Sequence, residues 1–313
     1  MNKSSDKNTK TLTIVSVTGH QDYAQGSAYA IERSYEELQK KLPVENLKCV
    51  LISPERPEHL EDYVQHIRCK PFNYLEYNLF IVYALGDLIE TDFALVVQND
   101  GFVVNGDNWK DEFFNYDFIG APLYCMYEYL EDGSLKQYNN EQCDPFYENM
   151  PEHIFEGQNG GFSLRSKRIL KLPRELKIKF SFPIPEPLSM GEKISLDYTT
   201  SKSHYEDIVL TVLTRKQLIS HNIKFAPPEI STYFACESTV IQHKRNVLLC
   251  NVFGCHTFGY LVLTAKNKVF MQKKVKFSQG NVATNALCRW LLSSGFSIDV
   301  PRQFLESNQS EDS

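Results

Sequence analysis

Apolar positions follow two alternating spacings along the first hundred residues. Thr11-Leu-Thr-Ile-Val-Ser-Val17 alternates and is β-branched, which predicts a first strand. From Ala28 to Lys41, Ile31, Tyr35 and Leu38 recur at helical spacing with charge on the other face, and Pro43 stops the helix. Leu47-Lys-Cys-Val-Leu-Ile52 reads as a second strand ended by Ser53-Pro54. That order is the start of a βαβ unit. Residues 54–73 are charged and broken by prolines. Tyr74 to Ile89 carries apolar residues on most of its faces (Leu75, Leu79, Val82, Tyr83, Leu85), which predicts a helix buried against a sheet. The unbroken run Phe93–Val97 follows and stops at Gln98-Asn-Asp-Gly101. A short Val-rich run of this kind predicts a buried strand of a parallel sheet. Ligands in open α/β sheets sit beyond the carboxyl ends of the strands, so Asp100 is delivered to such a place. Asn-Asp-Gly is also a good turn sequence, and this stretch alone supports both readings.

The second half is less regular. Tyr116-Asp-Phe-Ile-Gly-Ala-Pro122 predicts a short strand closed by Gly-Ala-Pro. Residues 123–156 are acidic and Tyr-rich, and a loop of that length is expected to be functional or disordered. Gly157-Gln-Asn-Gly-Gly-Phe-Ser-Leu-Arg165 predicts a glycine turn running into a strand, and 172–203 a proline-interrupted insertion. His204-Tyr-Glu-Asp207 opens a helix to His221, with acids in its first turn and Arg215, Lys216 and His221 toward its end, as the helix dipole favours. Residues 224–230 and 253–258 complete the compact part. Beyond 260, a hairpin (260–264 and 268–275) and a helix (285–292) are expected. The fold class implied is α/β, with a mixed, mostly parallel central sheet in which the strands at 11–17, 47–52 and 93–98 are neighbours. The expected units are a disordered lead-in at 1–10, a main domain at 11–260, a C-terminal appendage at 261–306 and a disordered tail at 307–313.

Composition narrows the partners. The net charge of −6 gives no global reason to expect nucleic-acid binding. No apolar run reaches the length of a membrane span, and the polar N-terminus lacks the apolar core of a secretory signal. The eight cysteines (49, 69, 125, 143, 236, 250, 255, 288) contain no CxxC pair. Neither a disulfide framework nor a zinc site is expected from them, and reduced cytoplasmic thiols are the default.

Several blocks taken together resemble a family. They are Tyr77-Asn78, Asp92, Val97-Gln-Asn-Asp-Gly-Phe-Val103, Trp109 and Tyr116–Pro122, followed by Gln158-Asn-Gly-Gly-Phe-Ser-Leu-Arg-Ser166, Glu206-Asp207, Phe225-Ala-Pro-Pro-Glu229 and Phe253-Gly-Cys-His256. Their order and spacing resemble a bacterial domain-of-unknown-function family grouped with the GT-A-fold, nucleotide-sugar-dependent glycosyltransferases, over residues 11 to about 260. The resemblance implies four elements. Gln98-Asn99-Asp100 stands where such enzymes carry Asp-X-Asp on the donor diphosphate, with Gln98 replacing the first acid, so Asp100 is the one carboxylate for Mn²⁺ or Mg²⁺. Gly160-Gly161 matches the glycine element at the donor sugar; by itself the pair reads better as a tight turn into a strand. Glu206-Asp207 matches the acidic pair whose Asp is the catalytic base; plain helix capping explains it equally well without the family. His256 matches the late histidine that reaches metal or phosphates, while a lone histidine is more often structural.

The implied activity is sugar transfer from a nucleotide-diphosphate donor to a hydroxyl of a glycan or lipid-linked acceptor, in making a surface polysaccharide, lipopolysaccharide or glycoprotein. Metal assistance and inversion are expected, with Asp207 as base and Glu206 on acceptor hydroxyls. Segments 123–156 and 172–203 would hold the acceptor. Lys266, Lys268, Lys273, Lys274 and Lys276, with Leu287, Trp290 and Leu291, suggest a docking surface for a second subunit or the anionic inner leaflet; simple packing on the core is the preferred alternative. The competing class is a catalytically silent glycan- or nucleotide-binding module on the same fold. A nucleotidyltransferase is disfavoured, because no Gly-rich phosphate loop followed by Lys lies near the N-terminus.

Overall fold

The computed structural model describes residues 10–180, 186–190, 194–197, 205–272 and 282–300. Strand β1 (Leu12–Val17) leads through helix α1 (Ala24–Leu38) to β2 (Leu47–Ser53). Then come β3 (Val64–Arg68), α2 (Tyr74–Tyr83), α3 (Leu85–Leu88), β4 (Phe93–Val96) and β5 (Gly101–Val103). A long pair follows: β6 (Phe118–Tyr129), β7 (Leu135–Asn139), α4 (Asp144–Glu148) and β8 (Ile154–Ser166), which runs into α5 (Lys167–Glu175).

These strands build a seven-stranded sheet in the order β3-β2-β1-β4-β8-β6-β7. β1 pairs parallel with both β2 and β4, so the three strands expected to be neighbours are neighbours. β8 and β7 run against the other five. Every residue of β1 and β4 is buried, as a strand covered on both faces requires.

Three expectations are corrected here. The charged stretch after Pro54 hides β3, an edge strand whose Gln65, His66 and Arg68 are tolerated because that edge meets solvent. β6 is not closed by Gly-Ala-Pro but runs through it. Its ladder with β8 shifts register on both sides of Pro122, a residue with no N–H to donate. Gly160 and Gly161 lie inside β8 rather than in a turn before it. Residues 123–156 are therefore largely the outer end of the sheet, with Gly133 (φ +81°) in the β6–β7 turn.

A hairpin, β9 (Glu186–Met190) and β10 (Ile194–Asp197), occupies part of the 172–203 insertion. The helix expected from 204 to 221 is three pieces. A short α6 (Glu206–Ile208) passes into a π-helical turn (Val209–Leu213) and then α7 (Arg215–Ser220). Such turns often occur at functional sites. Next come α8 (Pro228–Phe234), β11 (Ala235–Cys236), α9 (Thr239–Lys244) and β12 (Gly254–His256). β12 pairs antiparallel with β5 and parallel with β11, forming a second small sheet.

The segment beyond 260 forms β13 (Leu261–Ala265), β14 (Lys268–Met271), α10 (Val282–Ser293) and β15 (Ser297–Asp299). Leu261, Leu263, Val269, Met271, Trp290 and Leu291 join the same core cluster as β1, β4 and α1. All of the expected lead-in except Lys10, the tail at 307–313, and Lys273, Lys274 and Lys276 lie outside the described residues. Among the described residues no helix is long and apolar enough to cross a membrane.

Candidate functional site

The carboxyl end of β4 makes a tight reversal. Gln98 and Gly101 exchange backbone hydrogen bonds of 2.8 and 2.9 Å, which leaves Asn99 and Asp100 at the tip. The tip is held from three sides. Leu263 N–H donates to the Asn99 carbonyl (2.8 Å), Thr257 N–H to the Asp100 carbonyl (2.7 Å), and Gly259 N–H to Asp100 Oδ2 (2.6 Å). Gly259 sits at φ +73°, a conformation that favours glycine.

The small sheet aligns His256 opposite Gly101, and this places its ring beside Asp100. His256 Nε2 lies 3.6 Å from Asp100 Oδ2, and Nδ1 lies 3.7 Å from Glu237 Oε1. Burial pushes the imidazole pKa down, but the negative charges of Asp100 and Glu237 outweigh it and raise it to about 9. The two carboxylates thus favour the protonated form of the ring. Glu237 was not legible in the sequence: it follows a two-residue buried strand with no motif around it. Its Oε2 is buried without a hydrogen-bond partner.

β8 passes close beneath this group. A Cβ on Gly161 would stand 2.5 Å from His256 Nε2 and 2.6 Å from Gln98 Oε1, so only glycine admits both side chains. Gly160 is small for a different reason. A Cβ there would meet Glu206 Oε1 and the Arg165 guanidinium. Arg165 is fully buried and bonds Glu206 through both oxygens, at 2.7 and 2.8 Å. With both oxygens so held, Glu206 acts as a structural strut of the cleft wall, which it also lines.

Asp207 stands next to that strut and is half-buried. Its Oδ2 accepts from Gly160 N–H (3.0 Å) and its Oδ1 from Ile208 N–H (2.7 Å). Burial raises its pKa, and the neighbouring charges of Glu206 and Glu237 add to the rise, to about 7 despite the two backbone donors. Desolvation thus outweighs what a helix start only one turn long supplies.

Two cavities meet at this cluster. One, of about 700 Å³, is lined by Asp207, Glu237, His256 and Gly161 together with Tyr124 and Asn140. The other, of about 590 Å³, lies over the carboxyl ends of β1 and β4 and is lined by Val17, Thr18, Asn99, Asp100 and Tyr260. Tyr74, Tyr77, Gln98 and Phe258 line both, and Gln98 Nε2 donates to Tyr77 Oη (2.7 Å) in the partition. Both volumes suit small-molecule ligands. The structure thus brings Gln98, Asp100, Gly161, Asp207 and His256 together, whereas Gly160 supports the strut behind them.

The donor set fits a divalent cation in part. Asp100 Oδ2 and His256 Nε2 are spaced as two ligands of one ion could be. Substrate phosphates would have to supply most of the remaining ligands, as is ordinary for Mg²⁺ and its relatives.

A family model described as "Protein of unknown function (DUF5672)" matches residues 76–256, more than half of the chain. No curated protein matches. Among solved structures, a crystal structure of a galactosyltransferase, LgtC, in complex with donor and acceptor sugar analogs is similar at 12% identity. It has a TM-score of 0.43, over 94% of this chain and 99% of that one.

Proposed function

The chain belongs to the DUF5672 family, and from that premise we propose that it is a glycosyltransferase moving a sugar from a nucleotide-diphosphate donor to a glycan hydroxyl. The observation that carries the reading is the pair of adjoining cavities, one reached by Asp100 and the other by Asp207, with Gln98, Tyr74 and Tyr77 between them. The nucleotide occupies the cavity over β1 and β4, where open α/β sheets bind ligands. The acceptor occupies the cavity of Asp207 and Tyr124.

Asp207 takes the proton of the attacking hydroxyl. A base works best with a pKa near the working pH, which the half-buried position of Asp207 supports. Gly160 N–H and Ile208 N–H fix both of its oxygens, so the carboxylate is oriented before substrate arrives. A single base on the acceptor side gives inversion at the anomeric carbon. Asp100 and His256 would hold a divalent ion, Mn²⁺ or Mg²⁺, which would neutralise charge on the diphosphate. The exposed rings of Tyr74 and Phe258 stand at the junction, where they can cover a sugar face. A cytoplasmic role in surface-glycan assembly follows from this reading.

The test is a screen of nucleotide sugars by thermal shift with and without Mn²⁺, followed by NMR of the product formed on glycan acceptors. A donor that binds in a metal-dependent way and is transferred with inversion supports the reading. A donor that binds but is neither transferred nor hydrolysed points to the silent binding module.

A further inference from the structure

A second group of ligand-type side chains lies away from the cleft, between α1 and the loop joining β2 to β3. Glu32 of α1 is 1% exposed. Its Oε2 lies 3.3 Å from His59 Nε2, and Glu61 Oε1 lies 4.0 Å from the same nitrogen. One ligand atom from each residue falls within 4.8 Å of the other two. His59 and Glu61 are open to solvent, with side chains 53% and 45% exposed.

The contact with His59 Nε2 accounts for one carboxylate oxygen. It leaves the other, Oε1, buried and without a hydrogen-bond partner. An orphaned buried carboxylate oxygen is costly, and burial raises the Glu32 pKa against the pull of His59 and of the Glu61 backbone N–H. Nor is that contact needed to seat the loop. Gln25, two turns earlier on α1, already clamps the His59 backbone: its Nε2 donates to the His59 carbonyl (2.7 Å), and its Oε1 accepts from His59 N–H (3.0 Å).

We propose that Glu32, His59 and Glu61 form a binding site for a zinc-type divalent cation, clipping the β2–β3 loop to α1. Bonds of about 2.0–2.2 Å to a tetrahedral zinc ion put two ligand atoms roughly 3.3–3.6 Å apart. The Glu32–His59 spacing already has that value. Glu61 Oε1 stands 4.0 Å from His59 Nε2 and within 4.8 Å of the Glu32 ligand atom, so it has at most about 1.5 Å to close, and it is an exposed side chain on a loop. One imidazole and two carboxylates are a donor set that suits zinc, and solvent water completes the fourth position.

The experiment uses the full chain, stripped of metal by a chelator and dialysed against Zn²⁺, with bound metal counted per chain. Co²⁺ serves as a spectroscopic probe, because tetrahedral cobalt has an intense visible band. The expected result is one equivalent retained by Asp100→Asn, which lacks the cleft carboxylate, so that the cleft does not account for it. His59→Ala and Glu61→Gln should each weaken binding roughly tenfold or more. Zn²⁺ should also raise the melting temperature of the unmodified chain and not that of His59→Ala. Both substitutions are at exposed positions and should leave the fold intact, unlike Glu32→Gln. The proposal is overturned if the unmodified chain binds no Zn²⁺, or if His59→Ala and Glu61→Gln bind it as well as the unmodified chain does.

Discussion

Arg165 and Glu206 face each other across the base of the cleft in a two-bond ion pair that solvent does not reach. Arg165 also donates to the Gly160 carbonyl (3.0 Å) and, through Nε, to Ser163 Oγ (2.9 Å). The pair therefore ties β8 to the start of α6 and sets where Asp207 stands. Breaking one half leaves the other charge buried. Glu206→Gln should cost about 3–5 kcal/mol of stability, the usual penalty for an uncompensated buried charge. Denaturant unfolding measures it. A loss below about 1 kcal/mol would mean that the strut carries little of the fold.

Gly161 tests the cleft without touching a charge. A methyl group there collides with His256 and Gln98, the side chains that connect the two cavities. Gly161→Ala should fold, at an overpacking cost of about 1–3 kcal/mol, and should lose most donor binding because both side chains must move. Gly133→Ala is the control: nothing lies within 4 Å of the added atom, and only its positive φ is strained. If Gly161→Ala binds donor as tightly as the unmodified chain, the partition has no part in recognition.

What could be read in advance follows the physics of burial. β1 and β4 are covered on both faces, so their apolar runs were unambiguous. β3 was missed because only Val64 of its five residues is buried, and an edge strand needs no more. The β6–β8 pair was misread because Gly120, Pro122, Gly157, Gly160 and Gly161 look like turns. Here the glycines make room: a Cβ on Gly157 would press on Leu123, Tyr127 and Val212. In the site, Asp100 was legible from its place after a buried run. Glu237 was not, since it reaches the cluster only through the pairing of β11 with β12. Nor could local pattern show that Glu206 is consumed by Arg165, 41 positions earlier.

Asp100 and Asp207 should separate binding from chemistry. Asp100→Asn removes the only carboxylate at the β4 turn, so metal-dependent donor affinity should fall roughly tenfold or more. Asp207→Asn keeps the shape and the acceptor oxygen for one backbone N–H but has no basicity. Donor affinity should stay near normal while turnover drops roughly 10²-fold or more. Calorimetry with and without Mn²⁺, set beside steady-state rates, reads the two effects apart. The assignments fail if each substitution lowers affinity and turnover alike.

The pH dependence of the same carboxylate gives two observables of opposite sign. Asp207 has its pKa raised to about 7 by burial and by Glu206 and Glu237, from an ordinary value near 4. The folded chain therefore holds a proton that the unfolded chain has lost between about pH 4 and pH 7. Stability falls with rising pH across that window and is level above it. Activity runs the other way, because only the ionised form accepts a proton from the acceptor. The rate at saturating donor and low acceptor should climb tenfold per pH unit below about 7 and flatten above it. Asp207→Asn should abolish that limb and remove the pH 4–7 fall in stability, making the variant more stable than the unmodified chain at pH 8. A rate profile that is flat from pH 5 to 8 in the unmodified chain, or a variant that is less stable at pH 8, would mean that Asp207 neither carries the raised pKa nor serves as the base.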